Sequence, residues 1–206
     1  MDITVVDYGV GNLGAIPNML KRLGATADVT SDPGRIERAE KLILPGVGAF
    51  DAAMGNLREL GLIEILDRQV QDRRVPILGL CLGMQILARS SEEGVLPGFG
   101  WIPGEVVRFK IDEAPGRSLT VPMMGWNYVR VVRPSPLVAN LGSDPRFYFA
   151  HSYHLVCDDP DDVVGVTTYG YEFPSVVTRG NVMGAQFHPE KSHRFGIKVF
   201  ENFLGI

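Results

Sequence analysis

The chain has 206 residues, of which 45% are hydrophobic and 21% are charged, and its formal net charge is −4. This composition is typical of a globular protein with a sizeable core, and the negative charge argues against nucleic acid as a partner. The apolar runs are shorter than the ~20 residues of a membrane span, so no membrane association is expected. Residues 1–7 lack the basic start and long apolar stretch of a signal peptide, so a cytoplasmic location is expected.

The first half of the chain alternates strand-like and helix-like segments. An apolar run at residues 3–6 precedes a helical spacing of Ile16, Met19, Leu20 and Leu23. This alternation predicts a parallel sheet with helices on both faces. The further segments predict strands at 26–30, 41–44 and 75–80 and helices at 35–40, 49–60, 62–74 and 84–89.

The second half of the chain is rich in strands that are joined by short turns. We found no repeat, linker or low-complexity tract in it. The expectation is therefore a single α/β domain over residues 1–206, with a mostly parallel central sheet and additional strands in the C-terminal half. The predicted strands are 106–109, 127–132, 147–150, 153–157, 163–168, 175–179 and 182–187, and a helix is predicted at 195–204.

A glycine-rich turn follows the first strand. Residues 9–14 satisfy the Gly-x-Gly-x-x-Gly pattern of dinucleotide-binding loops. However, Asp28 lies inside the second strand and Asp32 in a turn, so no acidic residue stands where a ribose ligand should be. The pattern favours an ordinary loop at the carboxyl edge of the sheet over a nucleotide site.

A single cysteine stands where a predicted strand turns into a helix. Gly79 and Gly83 flank Cys81 in a Gly-x-Cys-x-Gly pattern, which is typical of a nucleophile elbow. A helix N-terminus at this turn would favour the nucleophilic thiolate, and the N–H of Leu82 could stabilise an oxyanion. Alone, such a cysteine is equally consistent with a small apolar residue at a strand end.

The other cysteine, Cys157, does not complete a disulfide framework, and no zinc-like spacing occurs, so no metal or cofactor is expected.

A base and its orienting group are available late in the chain. His188 and Glu190 follow a predicted strand and are separated by Pro189, which stiffens the turn between them. In this interpretation His188 takes the thiol proton and Glu190 fixes the imidazole tautomer. Taken alone, a His-Pro-Glu sequence is more often a surface turn. The other candidates for the base are His151, His154 and His193, of which His154 is expected to be structural and His193 solvated.

The loop after the third strand offers main-chain groups to the same sheet edge. Residues 45–48 read Pro-Gly-Val-Gly, and glycine there allows a backbone N–H to approach a reacting carbonyl. The alternative is that the Pro-Gly pair only ends the strand and turns the chain toward the next helix. Because the carboxyl ends of parallel strands meet at one edge, this loop and Cys81 are expected to lie together.

These motifs together resemble the class I (triad) glutamine amidotransferases, which have a flavodoxin-like fold. Within that class, the chain is similar to the glutaminase subunits of imidazole glycerol phosphate synthase over nearly its whole length. The motifs that carry the resemblance are Asp7-Tyr8-Gly9-Val10-Gly11-Asn12-Leu13, Pro45-Gly46-Val47-Gly48-Ala49-Phe50, Gly79-Leu80-Cys81-Leu82-Gly83-Met84-Gln85, Ser91-Glu92-Glu93-Gly94, Met124-Gly125-Trp126-Asn127, His151-Ser152-Tyr153 and Gln186-Phe187-His188-Pro189-Glu190-Lys191-Ser192.

The resemblance implies a role for each matching residue. It implies hydrolysis of glutamine through a cysteine thioester, without a cofactor, and transfer of ammonia to a (βα)₈-barrel synthase subunit in histidine biosynthesis. The implied catalytic residues are Cys81, His188 and Glu190. The implied oxyanion hole is Val47, Gly48 and Leu82, the implied substrate-binding residues are Gln85 and Glu93, and the implied partner interface is Asn12, Trp126, Tyr148 and Lys191.

The chain also departs from the family pattern. Met123 stands where the family usually has His, so a polar group is expected to be missing beside the docking surface. Residues 170–175 and 191–196 are closer to a paralogous branch that supplies ammonia for the amidination of polysaccharide sugars. A rival of another class is a free-standing cysteine hydrolase of γ-glutamyl compounds, and a third possibility is a binding scaffold with an idle triad.

Overall fold

The computed structural model describes residues 2–11, 13–111 and 119–206. The first part of the chain alternates strands and helices, as the sequence predicts, and a π-helical turn extends the fourth helix. The elements up to residue 91 are β1 Ile3–Val6, α1 Ala15–Arg22, β2 Ala27–Thr30, α2 Pro33–Ile36, β3 Lys41–Leu44, α3 Phe50–Glu59, α4 Ile63–Asp67 with the π-helical turn Arg68–Asp72, β4 Ile77–Leu80, α5 Leu82–Gln85 and β5 Ser90–Ser91.

The rest of the chain consists mainly of strands and ends in a long helix. The predicted strand 153–157 is confirmed to the residue, and the final helix begins two residues earlier than expected. These elements are β6 Gly104–Arg108, β7 Met123–Tyr128, β8 Arg130–Val131, β9 Arg146–His151, β10 Tyr153–Cys157, β11 Val163–Tyr169, β12 Tyr171–Arg179, β13 Val182–Ala185 and α6 His193–Gly205.

Eight strands form the central sheet in the order β2-β1-β3-β4-β13-β12-β11-β8. The first five run parallel to one another. The last three are antiparallel to their neighbours. This order confirms the predicted mostly parallel sheet with antiparallel strands from the C-terminal half. It also places β4 and β13 side by side, so the chain segments that follow these two strands leave the same edge of the sheet.

Helices cover both faces of this sheet because its parallel strands are apolar on both sides. Successive residues of β1 show the alternation: Val5 packs into one core and Val6 into the other. One core contains α1 and α6, with Leu20 and Phe200 fully buried. The other contains the helices α3 and α4. In the described part of the chain, no helix is long and apolar enough to cross a membrane.

Several expected elements differ from the observed ones, and three of these differences bear on the surroundings of the site. The helix expected at 84–89 is the single turn α5, because the carbonyls of residues 86–89 accept N–H groups from residues 98–102 instead of from the next helical turn. The helix expected at 35–40 is α2, which starts earlier because Asp32 caps it through the N–H of Arg35. The strand expected at 127–132 is split between β7 and β8, which belong to different sheets.

Candidate active site

Cys81 occupies a strained turn between β4 and α5. Its φ is 53° and its ψ is −110°, a conformation that residues other than glycine rarely adopt. The flanking glycines make this turn possible. A Cβ at Gly79 would lie 2.5 Å from the carbonyl oxygen of Gly83, and a Cβ at Gly83 would lie 1.7 Å from that of Leu44. The backbone therefore has the elbow geometry that the Gly-x-Cys-x-Gly pattern predicts.

His188 follows β13, the strand beside β4, and its ring is held on both sides. Nδ1 lies 2.8 Å from Oε1 of Glu190, and both side chains are buried. The Cys81 sulfur lies near enough to the ring to affect its pKa. Since Nδ1 faces a carboxylate, it carries the proton, and Nε2 is the nitrogen that faces the sulfur. The backbone of His188 is anchored in turn, because its N–H donates to the carbonyl oxygen of Tyr148 over 2.9 Å.

The charge on the His188 ring is governed by these two partners. Burial alone would lower the pKa of this histidine, but the hydrogen bonds to Cys81 and Glu190 raise it to about 10. An imidazolium is therefore favoured next to the sulfur at neutral pH. A positively charged ring at this position can stabilise negative charge that develops on the sulfur during attack.

Among the described residues, the other three histidines do not pair with a carboxylate beside the sulfur. His154 is buried, and its Nε2 lies 2.8 Å from the hydroxyl of Tyr171, so it is structural, as expected. His193 is exposed, as expected, and stacks on the Trp126 ring at 5.3 Å between ring centroids. His151 lines the same cavity as Cys81, but its ring is uncharged at neutral pH, since burial lowers its pKa to about 3. Among the histidines, the ring that combines a carboxylate partner with an interaction with Cys81 is thus that of His188.

A cavity of about 200 Å³ opens beside the sulfur. The loop after β3 reaches it because Gly46 has no side chain: a Cβ there would lie 2.8 Å from the Cβ of Leu82. Glu93 is fixed on the cavity wall, where its carboxylate accepts the N–H of Phe50 over 2.9 Å. The structure thus brings together the sulfur and the five residues that the sequence assigns to the oxyanion hole and to substrate binding, which are Val47, Gly48, Leu82, Gln85 and Glu93.

A buried amide network behind the sulfur was not predicted. Gln186 donates from Nε2 to the Cys81 sulfur over 3.8 Å, and its Oε1 accepts from Nε2 of Gln85 over 3.2 Å. Nε2 of Gln85 also donates to the carbonyl oxygen of Tyr153 over 2.9 Å. The signal that could have revealed Gln186 is its position directly after β13 and two residues before His188.

The residues expected at a partner interface cluster at the surface near the site. The Trp126 and Tyr148 rings are in edge contact at 6.2 Å, and Lys191 Nζ lies 5.6 Å from the Tyr148 ring. Asn12 lies outside the described residues. Met123 itself is buried in the core.

Comparison with known proteins agrees with this geometry. The chain matches the family Glutamine amidotransferase class-I over residues 4–205. It belongs to this family.

Asp28, the acid considered above as a ligand for a nucleotide ribose, instead forms an ion pair with Arg35, with 3.0 Å between the charged atoms.

Relatives of this amidotransferase match it over nearly the full length of both chains. The imidazole glycerol phosphate synthase subunit HisH 2 of Pseudomonas aeruginosa is 50% identical over 99% of each chain. The protein of the same name from Methanococcus maripaludis is 49% identical over 98% of each chain. The imidazole glycerol phosphate synthase subunit HisH of Leptospira interrogans is 45% identical over 99% of this chain and 100% of its own.

Solved structures share the fold of this amidotransferase. A putative GMP synthase protein from Thermoplasma acidophilum superposes with a TM-score of 0.73 at 21% identity, covering 100% of this chain and 92% of its own. PurLQS from Thermotoga maritima gives a TM-score of 0.72 at 22% identity, covering 99% and 97%. At this identity the likeness concerns the fold alone.

Proposed function

We propose that this chain is the glutaminase subunit of an imidazole glycerol phosphate synthase. It hydrolyses glutamine to glutamate and ammonia and passes the ammonia to a synthase subunit in histidine biosynthesis. The observation that carries this proposal is the buried contact from Cys81 to His188 and on to Glu190, at the wall of a cavity. The HisH relatives support the choice of acceptor. We further propose that the chain works as one domain in the cytoplasm.

The first chemical step is attack of the Cys81 sulfur on the carboxamide carbon of glutamine. His188 holds the thiol proton on Nε2, and Glu190 keeps the ring oriented through Nδ1. Attack places negative charge on the carboxamide oxygen. The N–H groups of Leu82 and of the loop at Val47 and Gly48 stabilise this charge, because both segments border the cavity at the sulfur.

The second step is the release of ammonia. The tetrahedral intermediate collapses when His188 gives its proton to the departing nitrogen, which leaves a γ-glutamyl thioester on Cys81. His188, now neutral, removes a proton from water as the water attacks the thioester carbonyl. Glutamate then leaves, and the proton on His188 restores the starting state.

The cavity offers complementary groups to the rest of the substrate. Both N–H groups of the Gln85 amide are engaged, by Tyr153 and by Gln186, so its oxygen is the atom left to accept from a ligand. The carboxylate of Glu93 supplies negative charge in the same cavity. An oxygen acceptor and a carboxylate suit the α-ammonium group of glutamine.

A partner subunit follows from the chemistry of the product. Ammonia released into water at neutral pH is protonated and ceases to be a nucleophile, so it must move to its acceptor through an enclosed path. The chain has a surface for this contact, since Met124, Trp126 and Tyr128 project from one side of β7 and are 67%, 44% and 56% exposed. We propose that a (βα)₈-barrel synthase subunit docks here as a heterodimer, in contact with Asn12, Trp126, Tyr148 and Lys191.

The test is a reconstituted complex of this chain with the synthase subunit of its own organism. Cys81→Ala should abolish synthesis from glutamine and leave synthesis from added ammonium intact. Cys157→Ala serves as the matched control, since that thiol lies outside the cavity, and it should leave both activities unchanged. Loss of both activities in Cys81→Ala would contradict the division of labour.

The same preparation distinguishes the rival functions. Turnover of glutamine by the chain alone should be low and should rise when the partner and its substrate bind. High partner-independent turnover of γ-glutamyl compounds would instead identify a free-standing hydrolase. Glutaminase activity that is stimulated by a sugar-amidinating partner, and not by the histidine-pathway synthase, would overturn the assignment of the acceptor.

A further inference from the structure

A buried serine near the proposed base does not have the role that its position suggests. Ser192 stands at the N-cap position of α6, where a serine side chain ordinarily accepts an N–H of the first helical turn. Within the described part of the chain, its hydroxyl makes no such bond. The residue is 0% exposed, so the hydroxyl needs its partners inside the protein. A serine that leaves the helix uncapped in this way requires another explanation.

The partners of this hydroxyl belong to His188 and to the strand beside it. The hydroxyl donates to the carbonyl oxygen of His188 over 2.6 Å. It accepts the N–H of Tyr148, on β9, over 3.0 Å. The N–H of His188 in turn donates to the carbonyl oxygen of Tyr148 over 2.9 Å. These three bonds form a closed circuit that fastens the turn after His188 to β9.

The turn that Ser192 closes contains both the base and its orienting group. It runs from His188 to Ser192, and Glu190 lies at its centre. The bond from the Ser192 hydroxyl to the His188 carbonyl joins the two ends of the turn. The shape of the turn sets the distance from Oε1 of Glu190 to Nδ1 of His188, which is 2.8 Å. The hydroxyl therefore acts on this pair of side chains through the backbone.

We propose that Ser192 is a positioning residue, whose hydroxyl holds the turn of His188 and Glu190 against β9 and so keeps the imidazole in its working orientation. The inference rests on the proposed glutaminase function and adds a residue to its machinery. The alternative is that the hydroxyl serves the fold alone. The two roles differ in their consequences, because a positioning contact affects kcat independently of its contribution to stability.

Removal of the hydroxyl should loosen the turn without unfolding it. In Ser192→Ala, the N–H of Tyr148 loses its acceptor, while the carbonyl oxygen of His188 still accepts the N–H of Lys191 over 3.1 Å. In the reconstituted complex, we expect kcat for glutamine to fall roughly 5- to 20-fold, as for one lost buried hydrogen bond, with KM changed by less than about twofold. Synthesis from ammonium should be unchanged, because the partner performs that step.

Two further variants separate positioning from stability. Ser192→Thr keeps the hydroxyl but adds a methyl group at a buried position, so it should lower the urea midpoint and keep kcat within about threefold of the wild type. Ser175→Ala is the matched control: Ser175 is also 0% exposed, and its hydroxyl accepts from that of Thr167 over 2.9 Å. It should lower the urea midpoint and leave kcat unchanged. If kcat followed the urea midpoint across the three variants, or if Ser192→Ala kept the wild-type kcat, the hydroxyl would serve the fold only.

A titration of the imidazole tests the orientation of the ring directly. In the wild-type chain, the interactions with Cys81 and Glu190 raise the pKa of His188 to about 10. A ring that is held less firmly loses part of both interactions. Nuclear magnetic resonance should therefore give a lower pKa for His188 in Ser192→Ala and the wild-type pKa in Ser175→Ala. An unchanged pKa of His188 in Ser192→Ala would overturn the proposal.

This titration requires neither the partner nor glutamine, so its result is independent of the proposed function. A wild-type complex without glutamine-dependent synthesis would refute that function. The position of the ring would still be decided by the comparison of Ser192→Ala with Ser175→Ala.

Discussion

Gln186 donates a hydrogen bond to the sulfur of Cys81 over 3.8 Å, in a part of the core where neither residue is more than 5% exposed. The same amide accepts from Gln85 through its oxygen. A single buried side chain thus connects the proposed nucleophile with a residue on the substrate cavity. A buried amide keeps one orientation when its N–H and its oxygen are both hydrogen-bonded. Because the Gln186 amide bonds to both groups, the position of the sulfur and that of the Gln85 side chain depend on each other.

Removing this amide should affect both stability and activity. Gln186→Leu keeps the volume but leaves an N–H of Gln85 without its acceptor, so we expect the free energy of unfolding to fall by about 1–3 kcal/mol. The kcat for glutamine should fall as well, because the sulfur loses a positioning contact. Urea unfolding and glutaminase assays measure the two effects.

The control for this substitution is Gln71→Leu, in an exposed part of the π-helical turn after α4. It should change neither the unfolding free energy nor kcat by much, since exposed sites usually tolerate substitution within about 0.5 kcal/mol. An unfolding free energy of Gln186→Leu equal to that of the wild type would show that the network does not order the site.

The pKa of His188 makes stability depend on pH in a defined direction. Its folded-state pKa is about 10, above the unfolded value of about 6.5. The proton is thus held more tightly in the folded state. The stabilisation from this ring is fully present below about pH 6.5 and is lost as the pH rises through about 10.

We therefore expect the free energy of unfolding to decline between pH 7 and pH 10 because of this residue. Cys81→Ala removes one of the two hydrogen bonds that raise the pKa, so the decline should be shallower in that variant. Urea unfolding of both proteins over this pH range measures the effect of the Cys81–His188 pair, since the two proteins differ in titrating groups only by the Cys81 thiol. If the free energy of unfolding fell equally steeply with pH in the two proteins, the decline could not be assigned to the raised pKa of His188.

The elbow depends on the absence of a side chain at position 83. In Gly83→Ala, the new Cβ would overlap the carbonyl oxygen of Leu44 on the neighbouring strand, at 1.7 Å. We expect the free energy of unfolding to fall by about 1–3 kcal/mol, the usual cost of overpacking, and glutaminase activity to be lost.

Gly55→Ala is the matched control, because Gly55 lies inside α3 with no atom within 4 Å of its Cβ position. It should stabilise the chain by about 0.5–1 kcal/mol. Thermal unfolding distinguishes the two variants, and equal melting temperatures would count against the steric argument.

The sequence predicts which segments meet at the cavity better than it predicts where the surrounding elements begin and end, for physical reasons. The elbow at Cys81 and the loop at Gly46 are local features, since glycine is needed wherever backbones approach closely, and that need is visible in the sequence. The end of α5 at Gln85 cannot be predicted from neighbouring residues. It depends on N–H groups of residues 98–102, which donate to the carbonyls of residues 86–89. The contact of Gln186 with Cys81 likewise requires β13 to lie beside β4, which strand patterns do not specify.

Tyr8 controls the loop opposite the elbow. Its ring is fully buried, and its hydroxyl donates to the carbonyl oxygen of Pro45, directly before the glycine that approaches Leu82. Burial, reinforced by the nearby charge of Cys81, raises the pKa of this hydroxyl above its usual value, so it remains a donor at every working pH. The bond thereby fixes the peptide that leads into Val47 and Gly48.

Tyr8→Phe should release this loop while preserving the packing of the ring. We expect about 0.5–1.5 kcal/mol less stability, together with a lower kcat and a nearly unchanged KM, because the oxyanion contacts matter most in the transition state. Tyr169→Phe is the matched control: it also removes a hydroxyl that donates to a loop carbonyl, that of Thr120, and should reduce stability alone. Steady-state kinetics of the reconstituted complex decide the matter. If Tyr8→Phe lowered stability without lowering kcat, the hydroxyl would serve the fold only, and the loop would keep its shape through the close packing of Gly46 against the elbow.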